Sequence, residues 1–204
     1  MDFTVVHQDA LVELINIGFG RAAAALSKLT GHRVELEVPH ITMCPIGEMG
    51  DRLRPMLDNQ VASVHQVFSG PVDGDALLVL DQKSAAILKE LLTNEPALPL
   101  EIDGSAREVL TEIGNILLNA CLGTFGNLLK VQVSFSVPHL TLETLEGIVG
   151  SISVGREGLR YALIVHAAFR LRNSSLVGYL VIVLGVASIE RLIDALEVWE
   201  RDQR

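Results

Sequence analysis

One block of sequence occurs twice in this chain, and that repeat limits the available folds more than any other feature. Residues 9–43 align with residues 108–142 at a constant offset of 99, without a gap, and ten of the 35 positions are identical. A repeat of this kind indicates a fold built from two similar units. The identical pairs are Leu11/Leu110, Glu13/Glu112, Asn16/Asn115, Ile17/Ile116, Leu29/Leu128, Val34/Val133, Val38/Val137, Pro39/Pro138, His40/His139 and Thr42/Thr141.

Hydrophobic spacing predicts the same elements in both halves. Apolar residues recur at helical spacing in the first part of each block, and a strand follows. Two further strands are predicted at residues 61–68 and 76–80, and again at 161–169 and 177–184. Helical patterns over residues 83–92 and 188–196 end the two halves. Each half should therefore contain a helix, a strand, a short irregular or helical segment, two strands and a final helix.

The two halves are expected to fold together. Neither half has enough strands to cover its own helices, so both should share one sheet and one core. We expect a single domain over residues 1–204, made of two repeats at about 1–92 and 105–199. The linker at 93–104 contains two prolines and no sustained period. The predicted fold class is α+β: an internal duplication with a pseudo-two-fold axis, in which helices pack on a mainly antiparallel sheet.

Composition excludes several classes of protein. The chain carries a net charge of -9, whereas nucleic-acid binding needs clustered Lys and Arg. The amino terminus lacks a basic signal-peptide start, and the longest charge-free apolar run, residues 176–189, is too short to span a membrane. Cys44 and Cys121 lie far apart without metal-ligand spacing. We therefore expect free thiols, no metal site, no membrane insertion and a cytoplasmic location.

Polar residues form one stripe on the first helix of each block. Asp9, Glu13 and Asn16 are spaced four and three residues apart, which places them on one side of a helix, away from the apolar side. The second block repeats this stripe with Glu108, Glu112 and Asn115. Packing explains the repeated apolar residues, but it gives no reason for the same Glu and Asn at exposed positions. The two stripes are therefore the candidate functional sites.

Other candidate residues have weaker support. His40 and His139 follow the two repeated prolines, but no further ligand lies at metal spacing, so we expect a structural role for them. Ser27 lacks the glycine-flanked turn and the nearby His of a nucleophilic serine. The sequence has no phosphate-binding loop and no dinucleotide-binding motif.

The stripes resemble the active-site motif of the CheC, CheX and FliY phosphatases of bacterial and archaeal chemotaxis, and the chain is most like CheC. That motif is Asp or Ser, three residues, Glu, two residues, Asn, then 22 residues and Pro, as in the first block. The first block matches it at Asp9, Glu13, Asn16 and Pro39. The second block matches it at Glu112, Asn115 and Pro138. Glu108 departs from the motif, which has Asp or Ser at that position.

The resemblance implies a phosphatase that hydrolyses the phosphoaspartate of a CheY-like receiver. In that scheme Asn16 and Asn115 orient the attacking water, much as a Gln does in GTPases. The carboxylates of Glu13 and Glu112 dock the receiver. The receiver brings Mg²⁺, so the protein needs no cofactor of its own.

The remaining motif residues have supporting roles in that scheme. Asp9 and Glu108 would contact the partner protein, and Pro39 and Pro138 would be structural. A second hypothesis stays open at this point: the chain could be a non-catalytic docking or regulatory adaptor that binds a receiver or a CheD-type deamidase. The sequence disfavours the adaptor only mildly: a pure adaptor would not need both Asn16 and Asn115, and both are present.

Overall fold

The computed structural model describes residues 4–93, 104–153, 160–171 and 174–203. The first half contains α1 (Val5–Thr30), β1 (Val34–Pro45), a 3-10 turn (Ile46–Glu48), α2 (Met49–Leu53), β2 (Gln60–Ser69), β3 (Gly74–Asp81) and α3 (Gln82–Thr93). The second half contains α4 (Gly104–Leu129), β4 (Ser134–Phe135), β5 (His139–Thr144), α5 (Leu145–Ser153), β6 (Arg160–Leu171), β7 (Ser174–Gly185) and α6 (Val186–Gln203). The order of elements is therefore the one predicted for each half, except that two short strands, β4 and β5, replace the single first strand in the second half.

The long helices α1 and α4 correspond to each other residue by residue. Each has 26 residues, and both their first and their last residues lie 99 positions apart. Gly31 ends α1 in a left-handed backbone conformation with φ of 68°, and Lys130 adopts the same conformation after α4 with φ of 53°. Thr4 caps α1 by accepting a hydrogen bond from the backbone N–H of His7. The offset of the sequence repeat is thus also the offset of the fold.

The strands of the described residues form one antiparallel sheet. Their order is β1-β6-β7-β3-β2, and both β4 and β5 pair with the far side of β2. Exchanging the two halves maps this order onto itself, because β1 corresponds to β4 with β5, β6 to β2, and β7 to β3. The central pair is β3 with β7, so the pseudo-two-fold axis passes between them. The predicted α+β fold with an internal duplication and a mainly antiparallel shared sheet is confirmed.

The boundaries of the two repeats stay a prediction. Residues 94–103 lie outside the described residues, and they make up most of the segment assigned to the linker. The last helix of the first half ends at Thr93 and the first helix of the second half begins at Gly104.

Helices cover both faces of the sheet. On one face α1, α3, α4 and α6 enclose the larger hydrophobic core, which includes Phe19, Leu110 and Phe169. On the other face α2 and α5 cover a smaller core around Met49 and Ile148. The two long helices contact each other closely near Gly18, where an added Cβ would lie 3.0 Å from the backbone oxygen of Ala120.

The two long helices are unusually apolar. By length and composition alone, α1 and residues 106–129 of α4 could span a membrane, and 44% and 50% of their apolar windows are buried inside the protein. Core helices of soluble proteins pass the same test. Their buried residues belong to the larger core, so packing accounts for the apolar character of both helices and leaves their polar stripes facing outward.

Candidate active site

The first stripe lies on the exposed side of α1. Asp9, Glu13 and Asn16 are all exposed, whereas Leu11 and Ile15 between them are fully buried. Glu13 and Asn16 are three residues apart, so their side chains emerge about one helical turn from each other. The helix thus presents a carboxylate and a carboxamide together to the solvent.

The side chain of Asn16 is held by the neighbouring strand. Its Oδ1 accepts a hydrogen bond from the backbone N–H of Val38, with an N···O distance of 3.1 Å. Val38 and Pro39 fall where the pairing of β1 with β6 shifts register, between Glu37 and His40. The irregularity directs this backbone N–H at the helix instead of along the sheet ladder. Because a backbone N–H can only donate, the carboxamide oxygen faces the strand and the NH₂ group faces away.

The second stripe lies on α4. Glu108 and Glu112 are exposed, and Asn115 is partly buried. The Oδ1 of Asn115 accepts a hydrogen bond from Nδ2 of Asn119 at 2.6 Å. Asn119 lies one turn further along the same helix. Both stripes therefore contain a carboxamide whose oxygen is already bonded to the protein, but the donor differs between them.

A second pair of contacts ties each helix to its strand beside the stripe. The side-chain amide of Gln8 donates to the backbone oxygen of Ile41, and Nη1 of Arg107 donates to the backbone oxygen of Leu140 at 2.7 Å. The two donors are 99 positions apart, and so are the two acceptors. This pair is not evident from the sequence, because Gln and Arg are different residue types. Only their equivalent positions, immediately before Asp9 and Glu108, indicate in the sequence that they correspond.

The repeated prolines lie in different local structures. Pro39 is part of the continuous strand β1, whereas Pro138 lies in the gap between β4 and β5. The gap begins at Ser136, whose hydroxyl accepts the backbone N–H of Val67 and whose own N–H donates to the backbone oxygen of Val67, both at 2.9 Å. The serine side chain takes a place in the ladder that a backbone carbonyl would otherwise occupy, so β4 ends there.

The two repeated histidines lie on strands, on the face of the sheet that α2 and α5 cover in part. His40 forms a hydrogen bond between its Nε2 and the hydroxyl of Thr42 at 2.9 Å, and the rings of His139 and His65 lie 5.4 Å apart. Burial lowers the pKa of His166, and the nearby His40 lowers that pKa further. Among the described residues, no group of three or more His, Cys, Asp or Glu is placed to hold a metal ion.

Both cysteines are free and buried. Burial raises the pKa of the Cys121 thiol and, as the largest of several effects, that of the Cys44 thiol. A raised pKa disfavours the thiolate, which is the reactive form. Neither cysteine is therefore a candidate nucleophile, and the stripes remain the polar features that repeat on both helices.

The chain is similar in sequence to two curated phosphatases of chemotaxis. It is 26% identical over 198 residues to the CheY-P phosphatase CheC of Bacillus subtilis, covering 93% of both chains. It is also 26% identical over 147 residues to the flagellar motor switch phosphatase FliY of the same organism, covering 69% of this chain and 37% of that longer protein. No family model matches the chain. These relatives confirm the predicted resemblance to the CheC, CheX and FliY family.

Solved structures share the fold. FliY of Thermotoga maritima superposes with a TM-score of 0.76 at 17% identity, covering 97% of this chain and 98% of that one. The FliM middle domain of H. pylori superposes with a TM-score of 0.64 at 12% identity, covering 92% and 96%. At such identities the likeness concerns the fold alone. Because proteins with different names share this fold, function has to be argued from the two stripes.

Proposed function

We propose that this chain is a phosphatase that hydrolyses the phosphoaspartate of a CheY-like receiver in chemotaxis signalling. The observation that carries the proposal is the repeated stripe: on α1 and on α4 an exposed Glu stands one turn from an Asn whose oxygen is already hydrogen-bonded to the protein. The match to CheC over almost the whole chain supports the same reaction. The protein would act in the cytoplasm, where the receiver is found.

The carboxamides of Asn16 and Asn115 orient the attacking water. A carbonyl oxygen has two lone pairs, and the bond from Val38 or Asn119 uses one of them. The second lone pair can accept a hydrogen bond from the water, and the NH₂ group can donate a hydrogen bond to the water or to a phosphoryl oxygen. A carboxamide held from behind loses little freedom when the substrate arrives, so its contribution is one of position and orientation.

The carboxylates of Glu13 and Glu112 dock the receiver. An exposed carboxylate one turn from the carboxamide can form a charge-assisted hydrogen bond with a Lys of the receiver and so fix the register of the two proteins. Asp9 and Glu108 extend each stripe by a further turn and would contact the same partner. The proposal assigns Mg²⁺ to the phosphorylated receiver, which also carries the reactive bond. The phosphatase supplies geometry.

The test is phosphate release from a phosphorylated CheY-like receiver. We expect the double variant Asn16→Ala, Asn115→Ala to leave only the receiver's spontaneous hydrolysis. Asn115→Ala alone should keep at least about half of the activity and Asn16→Ala alone at most about half, since the first stripe matches the whole motif and the rates of two sites add. Asn127→Ala is the matched control, because Asn127 is exposed on α4 outside the stripe.

Two outcomes would contradict the proposal. Dephosphorylation by the double variant at the wild-type rate would exclude the water-orienting role of the two Asn residues. Tight binding of the receiver without loss of its phosphoryl label, in the wild-type chain, would support the adaptor hypothesis instead. The same binding assay with a CheD-type deamidase would test the other partner of that hypothesis.

A further inference from the structure

A relay of hydrogen-bonded side-chain amides, Gln66 and Asn119, connects the backbone beside β4 to Asn115. The Nε2 of Gln66, on β2, donates to the backbone oxygen of Ser136 at 2.9 Å and to Oδ1 of Asn119 at 3.2 Å. The Nδ2 of Asn119 then donates to Oδ1 of Asn115 at 2.6 Å. The side chain of Gln66 is buried, with 1% of its surface exposed. Two side-chain amides, those of Gln66 and Asn119, thus lead from the main chain to the carboxamide of Asn115 in the second stripe.

The orientation of Gln66 determines which way the carboxamides of Asn119 and Asn115 face. A backbone carbonyl can only accept, so Gln66 has to turn its NH₂ group towards Ser136. The same NH₂ group contacts Asn119, which therefore presents its oxygen to Gln66 and its own NH₂ group to Asn115. Asn115 therefore accepts this hydrogen bond through its oxygen. Its NH₂ group consequently faces away from the relay, as the NH₂ group of Asn16 faces away from Val38.

Gln66 is an unfavourable residue by packing alone. Among the described residues its Oε1 is buried without a hydrogen-bond partner, and a buried acceptor left unpaired opposes folding. An apolar side chain of similar size would avoid this cost. The two donor bonds of Gln66 give the residue a role that an apolar side chain could not have.

The first stripe has no such relay. Gly20 occupies the position that corresponds to Asn119, and a Cβ built there meets nothing within 4 Å. Ala167 of β6 occupies the position that corresponds to Gln66, since His65 pairs with His139 as His166 pairs with His40. The relay is therefore specific to the second half, where Asn115 takes its donor from a side chain.

We propose that Asn119, held by Gln66, is a positioning residue of the second site, which keeps Asn115 with its NH₂ group directed at the phosphoryl group and the attacking water. The inference rests on the proposed phosphatase function. Asn119 does not touch the substrate in this proposal. Asn119 holds the oxygen of Asn115 by a hydrogen bond, as the backbone N–H of Val38 holds the oxygen of Asn16.

The test uses chains in which only one site is active. In the Asn16→Ala chain, where the second site works alone, Asn119→Ala should lower kcat roughly 10-fold and leave KM unchanged, because Glu112 still docks the receiver. Asn119→Asp is the sharper variant. Aspartate has the same size and can still accept from Gln66, but it cannot donate to Asn115, so Asn115 would have to reverse its carboxamide. We expect Asn119→Asp to lower kcat as much as Asn119→Ala.

The matched control places the same changes in the Asn115→Ala chain, where the first site works alone. There Asn119→Ala and Asn119→Asp should leave kcat and KM unchanged; an equal loss of kcat would mean a general effect on folding and would overturn the inference. If Asn119→Asp keeps the full kcat of the second site, the inference is wrong while the proposed function stands. If Asn115→Ala itself leaves the activity of the Asn16→Ala chain unaltered, the proposed function is wrong at this site.

Discussion

The two stripes present the same functional groups on different supports. The oxygen of Asn16 is bonded to the main chain of β1, whereas the oxygen of Asn115 is bonded to Asn119, which depends in turn on Gln66. No side-chain substitution removes the N–H of Val38, unless it introduces proline. Two side chains, those of Asn119 and Gln66, lie between the carboxamide of Asn115 and the nearest main-chain partner, the backbone oxygen of Ser136. The two sites thus keep the same Glu and Asn while the groups that hold the Asn differ. The second site should be more sensitive to substitution, because its donor is a side chain.

The largest effect should come from the docking carboxylates, and it should be alike in the two sites because neither Glu13 nor Glu112 takes part in holding its Asn. In the Asn115→Ala chain, Glu13→Gln is expected to raise KM about 10-fold with kcat nearly unchanged, because it removes one charge-assisted contact. In the Asn16→Ala chain, Glu112→Gln should have a similar effect. Initial rates measured against receiver concentration at low salt give both constants. Glu190→Gln, exposed on α6, is the control. A fall in kcat at constant KM would contradict the docking role.

The stability of α4 offers a second way to separate the sites. Gly114 corresponds to Ile15 of α1, and a Cβ at Gly114 would lie 2.4 Å from the side chain of Val64. Gly114→Ala should destabilise the fold by about 1–3 kcal/mol, as overpacking in a core does. Because Gly114 adjoins Asn115, the second site should lose more activity than the first.

Denaturant unfolding measures that stability, and rates in the two single-site chains measure the activity. Gly123→Ala is the matched control on the same helix, since a Cβ there meets nothing within 4 Å. It should stabilise the fold by up to about 1 kcal/mol, because alanine favours helix more than glycine does. Equal activity losses in the two sites after Gly114→Ala would show that α4 transmits the strain to both halves.

The ends of the two long helices provide the smallest of these effects. Gly31 and Lys130 both adopt the left-handed conformation at the same position of the repeat. Glycine adopts it without strain, whereas a side chain costs about 1 kcal/mol or slightly more. Lys130→Gly should therefore raise stability by about 1 kcal/mol, and Gly31→Ala should lower it by a similar amount. Thermal unfolding checks both, and a destabilised Lys130→Gly chain would contradict the argument.

Local patterns account for what the sequence could predict. The helical period alone places Glu13 and Asn16 on the side of α1 opposite Leu11 and Ile15. Glu112 and Asn115 lie 99 positions after these two residues, so the repeat places them on the corresponding side of α4. Strands such as β2 and β3 follow from short apolar runs between turn residues.

Contacts between distant segments account for what it could not predict. The runs VPHITM and VPHLTL are nearly identical, yet the first belongs to one continuous strand and the second is interrupted before β5. The difference arises from the partner strands, since β1 pairs with β6 along its length and Ser136 bonds to Val67 of β2. The relay through Gln66 likewise joins residues 53 positions apart. No spacing along the helix points to such a partner.

The proline shared by the two halves has a consequence at the borders of the sheet. β1 lies at one border, with Pro39 where its register shifts, and Pro138 interrupts the strands at the opposite border. Proline has no N–H to offer to an approaching strand, and it is confined to such border positions. A second chain that tried to extend the ladder on either side would meet a missing donor and a change of direction. Each half therefore carries its own safeguard against edge-to-edge aggregation.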